Sequence, residues 1–170
     1  AGINVGCKDH MGGIKEVYLI KEDDVKTVTA AEGQISVIEL NEGASFKTYK
    51  FRKGTSQFTS TMTTDESVGT LSVQTDLALQ FSTMETSKRL EIMAMCMESM
   101  KGIVLDSNGK YWFLGYDYPI SASAATGQTG TAFADFGGYN VTLTDNSKEF
   151  PYEVPASIME TLDITPAPVA

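Results

Sequence analysis

The chain has 170 residues, 42% of them hydrophobic, and a formal net charge of −9 at pH 7. A chain of this size holds one domain with a core of its own, because roughly 70% of its extended surface is buried on folding. The acidic balance repels phosphates, which excludes nucleic acid or an anionic membrane as a tightly held ligand.

No apolar run approaches the ~18 residues needed to cross a bilayer, so no membrane partner is expected. The start Ala1-Gly2-Ile3-Asn4 lacks the basic and apolar stretches of a signal peptide; removal of an initiator Met would explain it, and a cleaved signal peptide would leave the same kind of end. Residues 1–15 read as an N-terminal arm. Within it, Cys7-Lys8-Asp9-His10 is a C-x-x-H without the second pair of ligands that structural zinc requires. Cys7 and Cys96 are expected to be reduced thiols from a cytosolic synthesis, with Cys96 a small buried hydrophobe.

Strands are predicted at Glu16–Ile20 and Ile35–Leu40. The excursion Asn41–Ser56 follows as a loop carrying a short strand, Phe46–Arg52, in which Lys47, Lys50, Arg52 and Lys53 stand beside Phe46, Tyr49 and Phe51. Aromatics alternating with cations can hold a nucleic-acid strand. They also describe a cationic strand face that docks on an acidic partner, and Glu22-Asp23-Asp24 or Asp65-Glu66 of another copy would serve. Self-association through these seven residues is the expectation.

Gln57–Thr64 and Leu71–Phe81 read as a hairpin. The second strand alternates strictly, with Val73, Thr75, Leu77, Leu79 and Phe81 on one face, which predicts one buried side over eleven residues. A helix is predicted over Glu85–Met100, with Leu90, Met93, Met97 and Met100 as its apolar face, Ser82-x-x-Glu85 as a capping box and Gly102 as its stop. The apolar surface is wide enough to predict cover from the chain's own sheet or from a neighbouring subunit. Its methionines read as adaptable packing, not as soft-metal ligands.

Next come strands at Ile103–Leu105 and Tyr111–Tyr116, joined at Asn108-Gly109, a pair suited to a type I′ turn. Asp106-x-Asn108-Gly109 lacks the later ligands of a calcium loop. The small, nearly uncharged stretch from Pro119 to Gly138 is expected to be a long functional or mobile loop, followed by a strand at Tyr139–Thr144. Four of the five prolines lie between Phe150 and Ala170, so residues 156–170 read as an extended C-terminal arm after a single β-rich domain spanning 1–155.

Catalytic chemistry is not expected. The one histidine lies near the N-terminus, and the paired carboxylates Asp23/Asp24 and Asp65/Glu66 sit in polar turns where nothing would split their pKa values. No cofactor or metal is expected either.

Taken in order, a Thr-rich strand pair, a long alternating strand, one helix and an apolar hairpin lead to a small-residue segment and a last long strand. With the phrases Asp106-Ser107-Asn108-Gly109-Lys110-Tyr111-Trp112-Phe113-Leu114-Gly115-Tyr116, Thr126-Gly127 and Gly138-Tyr139-Asn140-Val141-Thr142-Leu143, this order resembles the tail tube (major tail) proteins of tailed bacteriophages, particularly those of Bacteroidetes phages and prophages. The likeness covers roughly residues 58–155 and is carried by structural motifs.

The resemblance implies a mainly β fold, a β-sandwich or half-barrel with one flanking helix. It implies copies that join sheets into a ring, usually a hexamer, stacked into a tube through which DNA passes without being specifically bound. In such proteins a long loop and terminal arms contact neighbouring rings, roles that Asn41–Ser56 and the termini would fill. The lumen tends to be acidic, and Gln74, Asp76 and Gln80 on the polar face of the long strand would line it. Implied partners are further copies, a terminator, a baseplate or hub and, in contractile tails, a sheath. The implied location is the virion, after synthesis in the host bacterial cytoplasm. Two other readings stand beside it: a head–tail adaptor or tail-hub ring, and a carbohydrate-binding β-sandwich presenting Trp112, Tyr116 and Tyr118.

Overall fold

The computed structural model describes residues 2, 3, 12–52 and 54–166, so Cys7, His10, Lys53 and residues 167–170 lie outside the described residues. Strands make up 54% of the molecule and helices 12%, in a β-sandwich with a curled half-barrel sheet and one substantial helix.

The first strand is β1 (Ile14–Lys21), in which Val17, Tyr18, Leu19 and Ile20 are all buried. An unbroken apolar run of this kind fits a strand covered on both faces. A one-turn 3-10 segment, Glu22–Asp24, leads to β2 (Val25–Ala31), which turns back as β3 (Gln34–Leu40). The turn residues Glu32 (φ 55) and Gly33 (φ 79) both have positive φ, which is type I′ geometry. β4 (Phe46–Lys50) precedes the long hairpin of β5 (Gln57–Asp65) and β6 (Thr70–Ser82). After α1 (Thr86–Met97) come β7 (Met100–Asp106), β8 (Tyr111–Leu114), β9 (Ser121–Gln128) and β10 (Gly138–Ser147). The chain closes with β11 (Tyr152–Val154), the single turn α2 (Ala156–Met159) and β12 (Ile164–Thr165).

Eight strands form one sheet in the order β12-β4-β1-β7-β8-β11-β3-β2, and four form a second in the order β5-β6-β10-β9. Between the sheets lies the first core, where Leu77, Leu79, Val141 and Leu143 meet Val17, Leu19 and Val104, with Ile92 and Met95 of α1 packed against them. A second core lies on the other side of β1 and β7, and it joins Tyr18, Ile20, Phe46, Ile103 and Phe113 to Ile35, Val154 and Met159. In a flat sheet β4 and β3 would stand about 24 Å apart, five spacings of ~4.8 Å. Phe46 and Ile35 share one core because the large sheet curls. Each fully buried side chain of this size contributes about 1.5–3 kcal/mol.

Several sequence expectations are corrected. The helix starts at Thr86 with Glu85 as its N-cap, which makes no side-chain capping bond, and Ser82 belongs to β6. Its inward residues are Ile92 and Met95, whereas Leu90, Met93, Met97 and Cys96 are exposed and Met100 is a buried strand residue. Contact with the sheet thus selects a different helical face from the methionine stripe. Gly102 does not stop the helix. It sits inside β7, where a Cβ would lie 2.8 Å from Leu19 Cδ2.

At Asn108-Gly109 only the glycine has positive φ (83), and the Gly109 N–H donates to the Asp106 carbonyl at 3.2 Å. Asp106 Oδ1 also accepts from the Asn108 and Lys110 N–H groups, so the hairpin uses a three-residue loop and not a type I′ turn. The stretch 119–138 is not one long loop, because β9 occupies Ser121–Gln128 and pairs with β10. Its residues are small because the strand stands at a sheet edge, where β10 supplies the pairing and little bulk is buried. Residues 156–166 are not an extended arm. Met159 is buried, and β12 pairs in parallel with β4.

One buried carboxyl ties the two sheets together at the β8–β9 connection. Asp145, on the core side of β10, is almost wholly buried, and its Oδ1 has no hydrogen-bond partner. Burial pushes its carboxyl above the usual range, against the pull of the Gly115 N–H; nearby Asp117 raises it further and Lys101 lowers it. Lys101 Nζ donates to the Gly115 carbonyl at 2.6 Å, so both peptide groups flanking this residue are held. Gly115 has φ 87, and a Cβ there would lie 3.3 Å from Met100 O.

A carboxyl raised in the folded state binds its proton more tightly there than in the unfolded chain. The stability it adds is complete below the unfolded value of 3.8 and is lost as pH rises through the folded value. Asp117 has the opposite sign, since the Lys148 N–H and the Ser147 hydroxyl lower its pKa. The Asp145→Asn variant should therefore gain Tm relative to the wild type as pH is raised from 4 to 7. Thermal melts across that range check it, and a constant difference would show that the Asp145 carboxyl has the same pKa in the folded and the unfolded chain.

Candidate assembly surfaces

The register of the four-stranded sheet collects one set of side chains on its outer face. Gln74 stands opposite Thr61 and Asn146, Asp76 opposite Thr59 and Thr144, and Gln80 opposite Asn140. Sequence reasoning placed Gln74, Asp76 and Gln80 together, and the alternation of β6 does so because the odd positions are drawn into the core. Asp76 accepts from Gln74 Nε2 at 3.1 and 3.3 Å and from Thr144 Oγ1 at 3.0 Å.

Across β5, β6, β9 and β10 the only charged side chains are Asp65, Asp76 and Asp145. Asp65 closes the β5–β6 turn by accepting from the Ser67 N–H at 2.9 Å and its hydroxyl at 2.6 Å, and Asp145 points inward. The outer face is consequently Thr, Ser, Asn, Gln and Ala around the Asp76 carboxylate, with Asp65 at its hairpin end. The acidic lining expected from the net charge is not here, because most carboxylates lie on turns and on the large sheet.

Both edges of this sheet are open among the described residues: β5 pairs only with β6, and β9 only with β10. Long edges without proline or lysine are templates for pairing with another chain. Neither β5 nor β9 contains either residue.

The β4 region divides in two. Phe46 is fully buried in the second core. Tyr49 donates to Glu91 Oε2 of α1 at 2.8 Å, and its ring meets Phe81 edge-on at 6.2 Å. Phe51 lies 5.2 Å from the same Phe81 ring. Burial first, and the bond to Glu91 second, push the Tyr49 hydroxyl well above its usual pKa. The three aromatics thus bind β4 to its own domain, while Lys47, Lys50 and Arg52 are exposed. Lys50 approaches Glu16 at 3.7 Å, and Lys47 and Arg52 make no ion pair among the described residues. Lys53 lies outside the described residues.

The aromatic trio of the carbohydrate reading is not a platform. Trp112 Nε1 donates to Asp106 Oδ2 at 3.0 Å, Tyr116 packs against Tyr152 at 5.0 Å with the rings 73° apart, and Tyr118 alone is exposed. Among the described residues no three His, Cys, Asp or Glu side chains stand together as metal ligands, and no helix is long and apolar enough to cross a membrane.

Two features escaped the sequence. Asp145 occupies an apolar position of the β10 alternation, the one signal available. Phe133 stands fully exposed in the loop after β9, in a stretch whose small residues hid its order. Comparison with family models, with curated proteins and with solved structures finds no match.

Removing the Tyr49 hydroxyl should expose how firmly β4 is held to α1. Tyr49→Phe is expected to lower stability by about 1.5–3 kcal/mol in urea unfolding, the range for a hydrogen bond to a charged partner. Unchanged stability would mean that the Tyr49–Glu91 bond does not anchor the strand.

Proposed function

We propose that this chain is a structural virion protein that assembles into rings, six copies being the expected number, stacked into a phage tail tube that conducts DNA during ejection. The observation that carries the reading is the four-stranded sheet, whose polar outer face bears no cation while both of its long edges are open among the described residues. The order of elements, which resembles tail tube proteins, supplies the rest of the argument.

In a ring, the β5 edge of one copy meets the β9 edge of the next, and every ladder bond lost at an edge is regained between subunits. The outer faces then form a continuous inner wall to which Gln74, Asp76 and Gln80 contribute. Phosphates find no lysine or arginine there, so DNA passes without the contacts that produce salt-dependent binding. The large sheet and α1 form the outside, where Lys47, Lys50 and Arg52 meet acidic turns of neighbouring copies. Further partners are a terminator, a baseplate or hub and, in a contractile tail, a sheath.

Negative-stain electron microscopy of the purified chain should show rings with a central channel and tubes built from them. Isolated rings without tubes would favour a head–tail adaptor or tail-hub ring, and monodisperse monomers at high concentration would sink both readings. The wall chemistry has its own test. Asp76→Lys should convert assemblies that ignore a short DNA duplex at low salt into ones that retain it, with retention lost as salt rises; co-sedimentation measures this, and equal retention by both proteins would place Asp76 away from the bore.

A further inference from the structure

The four-stranded sheet carries two unlike apolar features at its opposite ends. At one end the β5–β6 hairpin overhangs the domain. The β10 pairing stops at Ser147 opposite Val73, so residues 70–72 pair with β5 alone and project about 10 Å further. On this overhang Met62 and Leu71 lie on the side that deeper in the sheet forms the core, yet they are 45% and 50% exposed, and Val68 in the turn is 67% exposed. The turn also carries Glu66, which makes no ion pair among the described residues, next to Asp65, whose oxygen is engaged by Ser67.

At the other end, about 40 Å along β6, stands the loop 129–137. Its shape is fixed internally. Asp135 Oδ2 accepts from the Thr131 N–H at 3.0 Å and from the Ala132 N–H at 2.8 Å, and the Thr83 N–H donates to the Gly137 carbonyl at 2.8 Å. Gly130 has φ 75 and would place a Cβ 2.7 Å from that of Asp135. This braced loop presents Phe133 wholly to solvent, and Met84, half-exposed, lies at the same end of the sheet. The first turn of α1 lies at the same end, where Lys88 Nζ donates to the Ser82 carbonyl at 2.5 Å and pairs with Glu85 at 3.4 Å. Arg89, in that turn, is exposed and makes no ion pair among the described residues.

We infer that the two ends are the halves of one head-to-tail contact between copies of this chain: Phe133 of one copy seats on the Met62–Val68–Leu71 patch of the next, with Arg89 of the first facing Glu66 of the second. The partner is a second copy because one chain carries both members of each pair, an aromatic knob with an apolar seat and a cation with an anion, each unpaired among the described residues, at ends that point in opposite directions. A pre-shaped loop loses little entropy on docking, and a central aromatic anchor carries much of the energy of such a contact. Because the contact is heterologous and runs along β6, it does not close on itself and propagates a stack. The inference rests on the ring reading above and assigns the axial contact to the sheet ends, leaving the open edges for the lateral one.

The test is electron microscopy and sedimentation of full-length Phe133→Ala, Glu66→Arg, Arg89→Glu and the double variant Glu66→Arg/Arg89→Glu. All three substituted side chains are exposed, and circular dichroism melts confirm that each of the four variants is folded. Expected are rings without tubes for the three single variants and a return of tubes in the double variant. Tubes of wild-type length from Phe133→Ala would overturn the inference, as would loss of rings along with tubes, which would place Phe133 in the lateral contact. Wild-type chains that stop at isolated rings would also overturn it while leaving ring formation standing, and wild-type monomers would remove the ring reading itself.

Discussion

The pairing of β6 with β10, unbroken over ten residues from Gly138 opposite Ser82 to Ser147 opposite Val73, is the constraint on which the rest of the molecule depends. It forces one row of side chains into the domain and the other row out. The inward row, with Leu77, Leu79, Val141 and Leu143, supplies the wall of the first core, and the outward row, with Gln74, Asp76 and Thr144, makes the polar face. A one-residue slip would exchange the rows and place glutamine and aspartate against β1. The start of the ladder is held by Gly138, where a Cβ would fall 2.1 Å from the Phe81 carbonyl oxygen, so no other residue fits without moving the backbone.

The large sheet depends on this ladder and on its own curvature. Val17 and Leu19 of β1 belong to the first core, while Tyr18 and Ile20 belong to the second. Such a strand cannot stand at a surface, and the curl of the sheet gives it a second cover. Residues 155–165 complete the enclosure, passing from β11 through the buried Met159 to β12 beside β4. The Tyr49–Glu91 bond and the Tyr49–Phe81 contact then lock β4 to both α1 and the small sheet, which leaves the cations of that strand facing out on a rigid support.

Charge is sorted by the same geometry. The four strands of the small sheet hold no lysine, arginine or glutamate, and acidic residues gather at Glu22–Asp24 and at the Asp65-Glu66 turn. The net charge of −9 therefore describes the periphery and not the polar face. A polar face without a cation offers phosphates no attractive partner, a different physical basis from long-range repulsion. The same sorting leaves two open edges of nearly neutral backbone, which invite pairing with a further strand.

By itself the sequence determined what local periodicity and turn chemistry control: a mainly β fold, the two-faced β6, the β5–β6 hairpin, the presence of one helix and the grouping of Gln74, Asp76 and Gln80. Alternation reports which face of a strand is buried because the side-chain period is two whatever the neighbours are. The tertiary structure alone decided which face of α1 is inward, since Ile92 and Met95 are chosen by the sheet beneath them over the equally apolar Leu90, Met93 and Met97. It decided that β9 and β12 are strands, because their hydrogen bonds come from β10 and β4 and their own residues carry too little apolar bulk to signal burial. It also divided the β4 segment into core aromatics and surface cations, a separation set by which sides of a strand meet α1 and β6 and which meet water.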